Sequence, residues 1–212
     1  MALQNRVTPF STIEADPARG QLMGNRGILH GQKRQLETVR WRHKAWVCCA
    51  LEHTDNRGRA WHRTVMTPGA YTELFFLDEV TALAAGHRPC ALCRRSAWQH
   101  LMKALEGTFS RTPDLDAQLH RERVPAIDNN QYSVQECASL PDGAMIRHEG
   151  KAMLVWQDRL LQWSFEGYSA PRAIPSSLVE VLTPPTLIGA LRAGYKPHIH
   201  NSVKPLLAAR QI

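Results

Sequence analysis

Cys90-Ala91-Leu92-Cys93 is the stretch that leaves this chain the fewest choices. A C-x2-C pair lets two thiolates converge on one ion from a tight turn, with Zn–S distances near ~2.3 Å. Zinc prefers four ligands, so a second half of the site must come from elsewhere. Cys48 and Cys49 are the other neighbouring thiols. Adjacent side chains on a strand point to opposite faces, so one of the two is expected to bind, with Cys49 preferred. The fourth ligand stays open between the other cysteine, a histidine and water. Cys137 stands alone and reads as a small buried residue. The flanks His87-Arg88-Pro89 and Arg94-Arg95 favour thiolate, which suits metal binding and redox chemistry alike. A redox pair would need a thioredoxin-like βαβ context, and here a helix and a turn precede Cys90.

Five cysteines form an odd count, which argues against a disulfide scaffold. Met1–Gly20 has no apolar signal core, so the expected location is cytoplasmic. No apolar run approaches the ~18 residues of a membrane span. A chain of 212 residues can bury a core without staples. The expected class is α+β: a small zinc-stabilised strand and helix unit with an added C-terminal antiparallel meander and helix. Three regions follow, an irregular arm over 1–27, a zinc-binding region over 28–124 and a C-terminal subdomain over 125–212.

Trp46–Leu51 and Ala60–Met66 read as two strands of a hairpin about the turn at Asp55–Arg59. Tyr71–Leu77 reads as a third strand. Asp78 is a fitting N-cap for a helix over Glu79–Ala85, closed by Gly86. A longer helix from Ala91 to Leu105 follows, with Ala97, Trp98, Leu101, Ala104 and Leu105 on one face. Thr112-Pro113 opens another, and Pro125–Tyr132 reads as a connection. Ala144–His148, Lys151–Trp156 and Leu160–Phe165 are three short apolar runs joined by turns, an antiparallel meander. Val179–Leu182 adds a strand, and a last helix runs from Thr183-Pro184 to Gly194.

One internal echo stands out. Ala82–Pro89 (ALAAGHRP) parallels Ala190–Pro197 (ALRAGYKP). Both fit a Gly-capped helix end followed by proline. Cys90 follows the first copy and His198 the second, so His198 and His200, with His87, join the list of candidate ligands or active-site groups.

Phe75-Phe76 followed by Ala82–Arg95 (ALAAGHRPCALCRR) resembles the second half of the zinc-binding domain of the Ada DNA-repair proteins: paired aromatics, an alanine-rich helix, an A-G-aromatic-R-P turn and C-x2-C-R. The likeness covers Phe75 to Arg95. It implies that Cys90 and Cys93 are zinc ligands in a small α/β zinc domain. Ada domains bind DNA and take a methyl group from a phosphotriester onto a zinc thiolate. Their upstream pair is C-x3-C, whereas here it is the adjacent Cys48-Cys49. The whole chain is also similar to a group of bacterial proteins sharing a TELFFLDE-x-TALAAGHRPC core, a likeness that implies a common fold and no activity.

The charge bears on partners. Lys and Arg number 26 against 19 Asp and Glu, a formal +7. A basic surface favours anions, nucleic acid first. Arg57, Arg59 and Arg63 lie on the proposed hairpin and Arg88, Arg94 and Arg95 around the cysteines, so a nucleic-acid partner, DNA by the resemblance, is expected at these arginines. Trp41, Trp46 and Trp61 lie among them and could stack bases. Two other classes remain beside a zinc-stabilised nucleic-acid binder. One is a metal-dependent enzyme, either a zinc-thiolate alkyl acceptor or a metal-activated hydrolase or nuclease. The other is a protein-interaction module with structural zinc. Asp78 and Glu79 are expected to favour a helix N-terminus. There is no Gly-rich phosphate loop, H-E-x-x-H or G-x-S-x-G.

Overall fold

A computed structural model describes residues 2–52 and 64–208. The architecture is α+β, with two six-stranded, mostly antiparallel sheets. The N-terminal sheet has the order β2-β1-β5-β3-β4-β6. Its strands are β1 (Gln4–Val7), β2 (Ile13–Ala15), β3 (Leu22–Asn25), β4 (Val47–Ala50), β5 (Leu74–Phe76) and β6 (Arg88–Pro89). The C-terminal sheet has the order β11-β10-β9-β8-β12-β7. It consists of β7 (Ser133–Glu136), β8 (Met145–His148), β9 (Lys151–Trp156), β10 (Arg159–Ser164), β11 (Gly167–Ala173) and β12 (Leu178–Val181). The expected meander is therefore present as β8-β9-β10. No helix among the described residues is long and apolar enough to cross a membrane.

Helix α1 (Glu79–Ala84) sits where three hydrophobic clusters meet, and all six of its residues are buried. Ala82 joins the cluster under the N-terminal sheet. Val80 and Ala84 pack with Leu154, Leu161 and Tyr168 of the C-terminal sheet. Leu83 enters the cluster formed with the later helices. The small residues of this alanine-rich stretch let both layers approach it closely. Six residues are too few to hold a helix by propensity, so its ends are fixed instead. Asp78 Oδ1 accepts the Thr81 amide at 3.0 Å. At the other end Gly86 takes φ +73°, and the His87 and Gly86 amides donate to Ala82 O at 2.9 Å and Leu83 O at 2.8 Å, a Schellman closure.

Helices α2 (Arg95–Ala104), α3 (Thr112–Asn129), α4 (Pro185–Arg192) and α5 (Val203–Ala208) complete the fold. Helix α4 closes like α1: the Tyr195 amide donates to Ala190 O at 2.9 Å and Gly194 to Leu191 O at 3.0 Å. The sequence echo is thus a shared way of ending a helix.

Several expectations change. Residues 1–27 are no irregular arm: they supply β1, β2 and β3, strands of three or four residues in which the inward Asn5 and Gly24 and the outward Met23 hide the alternation. Residues 125–129 continue α3, with Pro125 inside the helix and Asn130 as its left-handed cap at φ 55°. Helix α2 begins at Arg95 because Cys90–Arg94 is taken up by the turn holding the cysteines. Strand β4 pairs with β3 and β6. The second strand proposed for its hairpin lies largely outside the described residues, and Val65-Met66 form a turn.

Candidate metal centre

Register builds the centre. Strands β4 and β6 run parallel, with Cys48 opposite Pro89, and the Cys90 amide donates to Cys48 O at 3.0 Å. The next residue on each side, Cys49 and Cys90, therefore lies on the same edge. The turn after β6 folds back through the Arg94 amide, which donates to Cys90 O at 3.1 Å, and brings Cys93 alongside. The Sγ atoms of Cys49, Cys90 and Cys93 all lie within 4.8 Å of one another. Sulfurs on a tetrahedral zinc at ~2.3 Å are about 3.8 Å apart, a spacing that falls within this bound. Among the described residues this is the one group of three or more such side chains that could hold a metal ion.

The three thiols do not ionise alike. The Leu92 amide donates to Cys90 Sγ at 3.4 Å, which favours a sulfur carrying negative charge. Hydrogen bonds from Cys49 and Cys93 hold the Cys90 thiol far below its ordinary range. The same contact, with that of Cys93 and with burial, drives Cys49 up. Three thiols this close ionise together only when a cation screens their repulsion.

Cys48 lies on the opposite face of β4, fully buried in the core beneath the sheet. Strand alternation sends it there. Burial and the Glu79 carboxylate push its thiol up to about 12, and Arg94 Nη1 donates to its Sγ at 3.1 Å. It is a core thiol and has no place in the cluster.

Three sulfurs line one end of a cavity of about 330 Å³, whose walls include Met23, Val47, Val65, Tyr71 and Phe75. Leu51 and Leu92, two large apolar residues exposed at 49% and 69%, also line it. Sequence reasoning passed over Met23 because its place beside Cys49 is set by the β3–β4 pairing.

The arginines are placed differently from expectation. Arg88 is buried and bidentate to Asp116, at 2.7 and 2.8 Å. Arg94 pairs with the buried Glu79 carboxylate at 2.7 Å. Both serve the interior, because Arg88 lies on the buried strand β6 and Arg94 ends the cysteine turn, and each finds a carboxylate inside. Arg95 is exposed. Arg57, Arg59 and Arg63, like Trp61, lie outside the described residues. Trp46 is fully buried, with Arg26 and Arg123 guanidiniums 4.1 and 3.7 Å from its ring centre.

The histidines also lie away from the sulfurs. His87 is fully buried, accepting from Arg26 Nε at 3.2 Å, with Nδ1 3.1 Å from Ala85 O. Burial, with Arg26 and Arg123 nearby, holds it well below its ordinary range. His198 and His200 present backbone amides, at 2.8 and 3.0 Å, to the Glu79 and Asp78 carboxylates. Asp78 and Glu79 thus do more than favour a helix N-terminus: they clamp the chain after α4 onto α1. Tyr168 Oη and Tyr195 Oη donate to the same two carboxylates.

No protein-family model, curated protein or solved structure matches this chain.

Proposed function

We propose that Cys49, Cys90 and Cys93 bind one zinc ion at the wall of the largely apolar cavity, so that the chain is a zinc-thiolate protein with a ligand-binding pocket. The carrying observation is the meeting of three sulfurs within 4.8 Å at the wall of a cavity of about 330 Å³. Among the described residues the group numbers three, and three protein ligands with an open position are the usual arrangement of a reactive zinc, whereas structural zinc takes four. An all-sulfur donor set favours zinc over the hard cations. The resemblance of Phe75–Arg95 to the Ada zinc domain supports the same ligands. A nucleic-acid partner draws less support, since Arg88 and Arg94 are spent on buried carboxylates.

Cobalt substitution tests the reading. One equivalent of Co(II) should give intense sulfur-to-metal charge-transfer bands with tetrahedral visible absorption, and Cys90→Ser should abolish both. Weak octahedral absorption, or none, would overturn it.

The cavity also favours the alkyl-acceptor form of this function. An alkyl phosphotriester seated there would present its carbon to a cysteine sulfur; the S–C bond forms, the C–O bond breaks, and the phosphodiester anion leaves with the electron pair. Mass spectrometry after exposure to a methyl phosphotriester should then show one methylated cysteine among the three. An unmodified protein rejects this form and leaves the zinc reading standing.

A further inference from the structure

The outer face of the N-terminal sheet carries a row of side chains running straight across the strands. Arg6 of β1 is in register with Phe75 of β5. Phe75 pairs with Met23 of β3, and Met23 with Cys49 of β4. Residues in register share a face, and all four are partly exposed while their neighbours Val7, Leu22, Leu74, Phe76 and Cys48 are buried beneath. Three steps between neighbouring strands separate Arg6 from Cys49, about 14 Å at the usual strand spacing.

This row is the floor of a continuous groove. The cavity at the sulfurs shares Leu51, Val65 and Phe75 with a second cavity of about 600 Å³. The far end of that second cavity is lined by Arg6 and Arg19 with Asp16. The Arg6 guanidinium lies 4.9 Å from the Phe75 ring centre. Its Nε and Nη1 are held by Ala18 O and Asn5 Oδ1, both at 2.5 Å, and its Nη2 makes no hydrogen bond among the described residues. Arg19 is exposed and makes no ion pair among them. Asp16 Oδ1 accepts the Ala18 amide at 2.8 Å, so one carboxylate faces two guanidiniums and the end stays cationic. The groove therefore offers soft sulfur at one end, a largely apolar middle to which Asn25 and the buried Glu73 also contribute, and unspent guanidinium donors at the other.

We propose that this groove binds a small organic anion of medium length: a carboxylate at Arg6 and Arg19, a hydrocarbon body over Phe75 and Met23, and a terminal sulfur that completes the coordination of the metal. The metal contact rests on the zinc reading above; the charge and chain contacts do not. The volumes of the two cavities are those of small-molecule sites, and a guanidinium fork suits a carboxylate.

The test titrates ω-mercaptoalkanoates of increasing chain length into the Co(II)-loaded protein, beside the corresponding mercaptoalcohols. Affinity should peak at an intermediate length, with the acid at that length binding about tenfold or more tightly than the alcohol. Arg19→Gln, which removes an exposed side chain, should erase most of that preference and leave alcohol binding unchanged. Arg6→Gln should do the same. Equal affinity for acid and alcohol, or indifference to Arg19→Gln, overturns the proposal. Plain alkanoates titrated into metal-free protein keep the two readings apart. Binding there that depends on Arg19 supports the groove even if no metal is taken up, and its absence counts against the groove even if metal is.

Discussion

Arg94 Nη2 lies 2.7 Å from Glu79 Oε2, and its Nη1 lies 3.1 Å from the sulfur of Cys48. One guanidinium so joins the buried helix α1 to the strand whose next residue is Cys49. Glu79 also accepts from Tyr195 Oη and from the His198 amide at 2.8 Å. Removing this carboxylate would leave the largely enclosed Arg94 beside a thiol without its counter-charge. Glu79→Ala should cost about 3–5 kcal/mol in urea unfolding, and Glu79→Gln clearly less because it still accepts hydrogen bonds. Equal stability of Glu79→Ala and wild type would contradict this placement.

His87 makes stability depend on pH in a stated direction. Its folded pKa is depressed by burial and by Arg26 and Arg123, while the unfolded value is about 6.5. The unfolded chain therefore binds a proton that the folded chain refuses. The contribution is complete above about pH 6.5 and is lost as pH falls below it, at up to about 1.4 kcal/mol per pH unit. Urea midpoints at pH 7.5 and 5.5 should converge for His87→Gln relative to wild type. His43 and His120 are depressed too and keep their effect in the variant, so the difference isolates His87.

Gly86 and Gly194 close two helices in the same way and should respond unequally to alanine. Both have positive φ, at 73° and 95°. A Cβ on Gly86 would come within 2.7 Å of Arg123 Cδ, whereas one on Gly194 meets nothing within 4 Å. Arg123 cannot yield freely, because it donates to Gly86 O at 2.7 Å and Lys44 O at 2.6 Å. Gly194→Ala should cost about 1 kcal/mol from backbone strain and Gly86→Ala at least about 2 kcal/mol. Thermal melts should show the second dropping by roughly 4–8 °C; equal drops would mean that Arg123 moves aside.

Cys48 and Cys49 should separate stability from metal binding. Cys48→Ala removes a buried thiol and the acceptor of an Arg94 hydrogen bond, a loss of about 1–3 kcal/mol, and should leave metal affinity nearly unchanged. Cys49→Ser should do the reverse, weakening metal about a hundredfold in competition with a chelator. A result in which Cys48→Ala loses metal would mean that β4 presents its other face.

Local signals made much of this fold readable. Asp78 and Gly86 bracket α1 because capping acts within a few residues, and the turns at Glu149-Gly150 and Gln157-Asp158 delimit β8, β9 and β10. Alternation along Cys48-Cys49 showed that the two thiols part to opposite faces, and the burial of Cys48 under the sheet then decides which one is left for the cluster. The missing parts depend on register across distant segments. Arg6, Met23, Phe75 and Cys49 come from four strands scattered over the chain, and pairing alone aligns them. The arginines beside the cysteines read as surface charge, since nothing local to Arg88 shows that Asp116 awaits it inside.

The central claim is that Cys49, Cys90 and Cys93 together hold one metal ion. Elemental analysis of the purified protein, wild type beside Cys48→Ser, Cys49→Ser, Cys90→Ser and Cys93→Ser, tests it most directly. The account predicts one zinc per chain in wild type and Cys48→Ser, and well below one in each of the other three. A folded, metal-free wild type, or zinc retained in full by all four variants, would contradict it.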